Sequence, residues 1–242
     1  MTLKAVLFDF NGTLVNDEDI HQQLIDEILV GENLRPDPAE YRQLCLGRSD
    51  RACLKALLES RARVVNDRYL QQLIDRKSIA YQRKVQTQEK LPIYPGVEDL
   101  IYKLRLARLK MGVVSGALRG EIELVLSRTE LLPHFAVIVA GDDITVSKPE
   151  PDSYLLAVER LQQLHPELGL EVKDCLAIED TPAGIEAAQG AGMQVVGVAN
   201  TYPFHMLQRL ANWTVDYLIE LELDRVQQIF SGELPPQTPI DC

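Results

Sequence analysis

Four short stretches of this chain hold residue types that could do chemistry together. Asp9 follows the apolar run Ala5-Val6-Leu7-Phe8 and precedes Phe10-Asn11-Gly12-Thr13. Ser115-Gly116 follows Met111-Gly112-Val113-Val114, and Lys148-Pro149 stands before a helical pattern. Glu179-Asp180 closes Cys175-Leu176-Ala177-Ile178, with Thr181-Pro182 next. Gathered at one spot, they would be a nucleophilic or metal-binding carboxylate, a hydroxyl, an ammonium and an acidic pair. Singly, each has an ordinary structural use. Asp9 and Ser115 would bond to backbone at strand ends, Lys148 would be a solvated loop lysine, and Glu179-Asp180 would cap the helix opening at Pro182.

The elements that must position them are legible in the pattern. A short apolar run bounded by turn residues suits a strand buried on both faces. Such runs occur at 5–8, 111–115, 136–140, 175–179 and 194–198, separated by helical patterns. This alternation predicts an α/β fold, a doubly wound parallel sheet, whose strands deliver their carboxyl ends to one edge. A further strand is expected near Tyr217-Leu218-Ile219. From Asp17 to Lys90 there is no strand pattern. Ile20, Leu24, Ile25, Ile28 and Leu29 recur at helical spacing, as do Leu70, Leu73, Ile74, Lys77 and Tyr81. The expected organisation is an α/β core of residues 1–15 and 92–233, a small helical cap of 16–91 inserted after the first strand, and a mobile Pro-rich tail of 234–242.

Composition narrows the partners. The 242 residues carry 25 basic and 36 acidic groups, a net charge of −11. That field repels nucleic acid and anionic membrane surfaces, so neither is expected. An anionic small substrate needs a local positive site. Cys45, Cys53, Cys175 and Cys242 form no Cys-x-x-Cys pair. A zinc site is not expected, and scattered cysteines in a chain this long fit reduced thiols in a cytoplasmic protein. No leader-like segment precedes the first strand, and no apolar run approaches membrane-spanning length. Ser115 lacks the glycine of a G-x-S-x-G elbow, and no G-x-x-x-x-G-K phosphate loop is present.

In its motifs the sequence resembles the haloacid dehalogenase superfamily. The matches are Asp9-Phe-Asn-Gly-Thr13, Val114-Ser115-Gly116, Lys148-Pro149-Glu150-Pro151-Asp152 and Ile178-Glu179-Asp180-Thr181, the last running on through Ala183-Gly184-Ile185 to Gly192-Met193. The likeness is to the capped, phosphatase-like branch that includes β-phosphoglucomutases and phosphoglycolate phosphatases. It implies a Mg²⁺-dependent hydrolase of a small phosphorylated metabolite. Asp9 would attack phosphorus and form an aspartyl-phosphate. Mg²⁺ would be held by Asp9, the main-chain carbonyl of Asn11 and Asp180, with Glu179 close by. Ser115, Lys148 and the loop amides at Gly116 would bind phosphoryl oxygens. In the cap loop Gly47-Arg48-Ser49-Asp50-Arg51, Arg48 or Arg51 would hold a second anionic group, unless this stretch is simply a helix start with its arginines in solvent.

One departure matters. The resemblance places a general acid/base Asp two residues after the nucleophile, and this chain has Asn11, which neither gives nor takes a proton at neutral pH. Three readings follow: a phosphatase whose leaving groups need no acid, a catalytically impaired phospho-ligand-binding protein, or different chemistry on the same scaffold. The last includes a dehalogenase, or a phosphonatase using a cap lysine among Lys55, Lys77 and Lys84.

Overall fold

The first apolar run forms β1 (Ala5–Phe8), with every side chain buried. The computed structural model describes residues 2–235. β1 lies inside a six-stranded sheet with β2 (Lys110–Val114), β3 (Val137–Val139), β4 (Cys175–Glu179), β5 (Gln194–Val198) and β6 (Trp213–Val215). The order is β3-β2-β1-β4-β5-β6, and every pairing is parallel. In this doubly wound order the chain direction across the sheet reverses beside β1. The crevice outside the carboxyl ends of β1 and β4 is therefore where a ligand finds room.

Helices cover both faces. α5 (Val97–Leu106), α6 (Arg119–Arg128) and α10 (Leu223–Ser231) pack on one cluster with Val6, Phe8 and Ile178. α7 (Asp152–Leu164), α8 (Pro182–Ala191) and α9 (Phe204–Leu207) pack on the other with Leu7, Ala177 and Val195. Neighbouring residues of one strand thus feed opposite layers, so the central strands read as continuous apolar runs.

Four helices lie between β1 and α5: α1 (Glu18–Gly31), α2 (Pro38–Leu44), α3 (Asp50–Glu59) and α4 (Asp67–Thr87). They bury an apolar cluster of their own, including Ile25, Leu29, Leu54, Leu57, Leu73 and Ile74. The two chain crossings into this insert run side by side. Asn16 N donates to Pro92 O at 2.8 Å and Tyr94 N to Leu14 O at 3.0 Å.

Two expectations are corrected. The stretch at Tyr217 is not a strand; Leu218–Glu220 forms a 3-10 turn, and the sixth strand lies earlier, at Trp213–Val215. Tyr217 and Ile219 are more than half exposed, so the apolar letters there do not mark a buried strand. Two of the cysteines are not thiols. Cys45, at the end of α2, and Cys53, on α3, form a disulfide across the turn between those helices, while Cys175 is free and buried. A separation of eight residues does not disclose that a helical turn brings them together. Cys242 and the tail from residue 236 onward lie outside the described residues. Among the described residues no helix is long and apolar enough to cross a membrane.

Candidate active site

The structure brings the four stretches to one edge. Asp9 follows β1, and its backbone N–H donates to Ile178 O on β4 at 2.9 Å. Glu179 ends β4 and Asp180 follows it, Ser115 follows β2, and Lys148 reaches in from the loop before α7. All five side chains are buried.

Lys148 ties the cluster together. Its Nζ donates to Asp9 Oδ1 and Glu179 Oε1, each at 2.6 Å, and to Val114 O at 3.0 Å. An ammonium has three donors, and all three are used. A direct bond from Lys148 to a phosphoryl oxygen therefore requires exchanging one of these. Burial works against the charge on Lys148, yet Asp9 and Glu179 hold its pKa above the ordinary lysine value. Tyr154 O–H also donates to Glu179 Oε1, at 2.6 Å.

The acidic side is under-compensated. Asp9, Glu179 and Asp180 each bring a carboxylate oxygen within 4.8 Å of the others, and one ammonium faces the three. Burial pushes Asp9 up to about 7, with Lys148 pulling the other way and Glu179 adding to the rise. Burial, then Asp9 and Glu179, push Asp180 well above the usual carboxylate range. Asp180 Oδ1 accepts from the Thr13 hydroxyl at 3.1 Å, while Asp180 Oδ2 and Glu179 Oε2 are buried without a hydrogen-bond partner among the described residues. Orphaned hard oxygens with excess negative charge fit a divalent cation, and an all-oxygen donor set suits Mg²⁺. Backbone shape protects this space. At Gly12 (φ 78°), an added Cβ would lie 2.0 Å from Asp180 Oδ2. At Gly184, it would lie 1.9 Å from Glu179 Oε2.

Ser115 keeps its hydroxyl proton nearly uncommitted. Its Oγ accepts from Ala117 N at 3.1 Å and lies 3.4 Å from Asn11 Oδ1, a weak contact. Gly116 packs where an added Cβ would sit 2.6 Å from Arg48 O, so the cap loop lies directly on the core here.

Around Asn11 the structure shows a network that the sequence did not reveal. Asn11 Nδ2 donates to both carboxylate oxygens of Asp17, at 3.0 and 3.1 Å, and lies 2.9 Å from His21 Nε2. Tyr81 O–H donates to the same Asp17 carboxylate, and the Tyr81 ring stacks on His21. Asp17 stands at the start of α1 but makes no side-chain cap; its carboxylate turns to Asn11 instead. Burial opposes charge on Asp17, and His21 and these donors hold its pKa below the ordinary value. For His21, burial and Lys77 oppose the charge and Asp17 overrides them, so its pKa is raised. The only available signal was the four-residue spacing of Asp17 and His21 at a helix start.

Asp9, Asn11, Glu18, His21, Tyr41, Arg48, Ser115, Gly116 and Thr181 are among the residues enclosing a cavity of about 40 Å³. Arg48 faces that cavity. Arg51 does not: its guanidinium lies 3.4 Å from Asp67 and donates to Gln71 at 2.5 Å. Ser49 Oγ caps α3 through Ala52 N, while Ser49 N donates to Ser147 Oγ at 2.8 Å. The loop is thus both a helix start and a contact with the core.

The model of the haloacid dehalogenase-like hydrolase family matches residues 6–198. The chain belongs to that family. Protein CbbY of Rhodobacter capsulatus is 29% identical over 207 residues, covering 84% of this chain and 88% of that protein. A phosphorylated carbohydrates phosphatase of Thermotoga maritima is 26% identical, covering 82% of this chain and 87% of its own. The crystal structure of a β-phosphoglucomutase from Clostridium difficile superimposes with a TM-score of 0.82 at 22% identity, over 96% of this chain and 98% of the other, a likeness of fold. This haloacid dehalogenase-like chain is accordingly an enzyme of the hydrolase type, with its acidic cluster at the edge where the fold binds ligands.

Proposed function

We propose that the protein hydrolyses the phosphate ester of a small sugar through Asp9, with Mg²⁺ bound among Asp9, the Asn11 carbonyl, Asp180 and Glu179. The observation that carries this reading is the buried Asp9–Lys148–Glu179–Asp180 cluster, whose charge and orphaned oxygens call for a cation. Bound there, Mg²⁺ would supply positive charge against the carboxylates and the incoming phosphate. Asp9 forms the new bond to phosphorus as the ester oxygen leaves, and water then cleaves the aspartyl-phosphate. Lys148 orients Asp9 and compensates Glu179, while the Ser115 hydroxyl and the amide at Gly116 face the phosphoryl oxygens. The leaving oxygen meets Asn11, which has no proton to give, so esters with poor leaving groups turn over slowly. Phosphate release from sugar phosphates, acyl phosphates and phosphonates, with and without Mg²⁺, tests this. Tight ligand binding without release from any of them would favour the non-catalytic reading. The phosphonatase reading is less supported, because Lys55, Lys77 and Lys84 are not among the residues lining the cavity at Asp9. Lys77 is fully buried, 2.8 Å from Asp50 and 3.2 Å from Glu121. Burial opposes its charge, yet those carboxylates raise its pKa and so favour the ammonium form. Lys55 and Lys84 pair with Glu59 and Glu27.

The metal ligands are distinguishable. Glu179 already has Lys148 as counter-charge, whereas among the described residues no ammonium or guanidinium pairs with Asp180, whose Oδ1 accepts from the Thr13 hydroxyl. Asp180→Ala is expected to weaken Mg²⁺ binding by about 10-fold or more beyond the loss in Glu179→Ala, on the scale of metal-site substitutions. Calorimetric titration of both variants checks it, and equal losses or the reverse order would refute the assignment.

Access requires motion. A cavity of about 40 Å³ is far below the roughly 300–1,000 Å³ of ordinary ligand pockets. The helical insert is therefore expected to hinge at the paired crossings, breaking the cross-boundary contact of Lys77 with Glu121. With Mg²⁺ and a phosphate mimic bound, amide exchange at Asn16 and Tyr94 should slow at least several-fold. Exchange that is unchanged at saturation would argue for a fixed cap.

A further inference from the structure

The wall of the cavity facing Asp9 is built by the helical insert, and most of its polar groups are already committed. Asp50 is paired with Lys77, and His21 with Asp17 and Asn11. Ile25, Cys45 and Cys53 are apolar, the last two joined to each other. Glu18 is different. It is the first residue of α1, and its Oε1 accepts the Tyr41 hydroxyl at 2.7 Å. Among the described residues Tyr41 is its one hydrogen-bond partner, and no cation pairs with it. Tyr41 is 6% exposed and fixed in α2, so it holds the Glu18 carboxylate in place through one oxygen, and Glu18 itself lines the cavity. Both residues belong to the helical insert, so opening it leaves their bond intact.

A fixed carboxylate oxygen in a small enclosed space accepts hydrogen bonds and offers none. It also repels a second anion at that point. Resting on the hydrolase reading above, we propose that Glu18, held by Tyr41, is the specificity-determining residue that selects hydroxylated phosphate esters by accepting a hydrogen bond from a hydroxyl of the non-reacting part. A substrate without that hydroxyl leaves the second oxygen of the carboxylate without a partner in the closed site, the situation in which hydrogen-bonding sites discriminate most strongly. Arg48, on the same cavity and without an ion pair among the described residues, then meets an acceptor on the far side of the same substrate.

Glucose 6-phosphate and n-hexyl phosphate carry the same primary phosphate ester, one with hydroxyls and one without. The ratio of their kcat/KM values isolates the hydroxyl reader from the chemical step. The wild-type protein with Mg²⁺ should favour glucose 6-phosphate by about 100-fold or more, and Glu18→Ala should cut that ratio by about 10- to 100-fold, the scale of a charged hydrogen bond. Glu18→Gln keeps the Tyr41 bond but replaces the open acceptor by a donor, and should reduce the ratio less. Tyr41→Phe, which leaves the carboxylate but frees it, should fall between wild type and Glu18→Ala and serves if the Glu18 variants do not fold. A ratio unchanged in the folded variants, or a wild type indifferent to the hydroxyls, overturns the assignment. The same comparison by calorimetric binding to the Mg²⁺-loaded Asp9→Asn protein separates the two claims. Retained selectivity in binding, with no turnover of any ester by wild type, would sink the hydrolase reading alone. Equal binding of both esters would sink the role of Glu18.

Discussion

Asp9→Asn is expected to abolish phosphate release while the protein stays folded. The substitution is nearly isosteric, and the amide oxygen can still accept from Lys148, which keeps Glu179 and Val114 O as its other partners. It also removes one of three mutually repelling buried carboxylates, so the apo protein should lose little stability. What is lost is the nucleophile. By the scale seen when a nucleophile is removed from a hydrolase, turnover should fall by about 10⁴–10⁶. Steady-state phosphate release against several esters, with far-UV spectra and melting curves alongside, checks both halves. Turnover of an ester at an undiminished rate in the folded variant would remove Asp9 from the chemistry and leave the cluster as a binding site.

The core was legible in the sequence because its strands are buried on both faces. Ala5–Phe8 and Cys175–Glu179 contain no alternation to misread, the first being followed by Asp9 and the second closing on Glu179. The parallel sheet then brings Asp9, Ser115, Lys148 and Glu179-Asp180 together without any need for side-chain detail. Edge elements were not legible in this way. β6 is only three residues, and its Thr214 and Val215 are half-buried, whereas the more apolar letters at Tyr217 and Ile219 face solvent. Side chains of the helical insert were also hidden, for a different reason. Asp17 reads as an acidic helix start, and nothing local says that its carboxylate turns inward to Asn11. Glu18 and Tyr41 are 23 residues apart on separate helices, so their pairing exists only after those helices pack. Arg48 and Arg51 are equivalent in the sequence. The start of α3 turns Arg51 toward Asp67 and Gln71 and leaves Arg48 at the cavity.

Restoring a carboxyl group next to the nucleophile should bring the largest gain. In Asn11→Asp, turnover of esters with poor leaving groups, such as sugar phosphates, should rise by up to about 10²–10⁴, the usual worth of general acid–base catalysis. Acyl phosphates, whose leaving group needs no proton, should gain much less in the first step, while the second step quickens for both classes because the carboxylate can activate water. The surroundings complicate the single substitution. Asn11 Nδ2 now donates to both oxygens of Asp17, and a carboxylate at position 11 would face that carboxylate without a donor between them. The double substitution Asn11→Asp with Asp17→Asn reverses the amide–carboxylate pair and keeps a donor in the contact. It should retain the gain with less loss of thermal stability than the single variant. Asn11-Gly12 is also a dipeptide that deamidates, although the Gly12 amide is held by Val15 O at 2.9 Å, which restrains its attack on the Asn11 side chain. Peptide mass spectrometry of the wild-type protein therefore comes first, since a fraction already converted to Asp would contribute activity of its own. With Asn11 verified intact, equal rates for both ester classes in wild type and Asn11→Asp would show that proton transfer at this position is not what limits the enzyme.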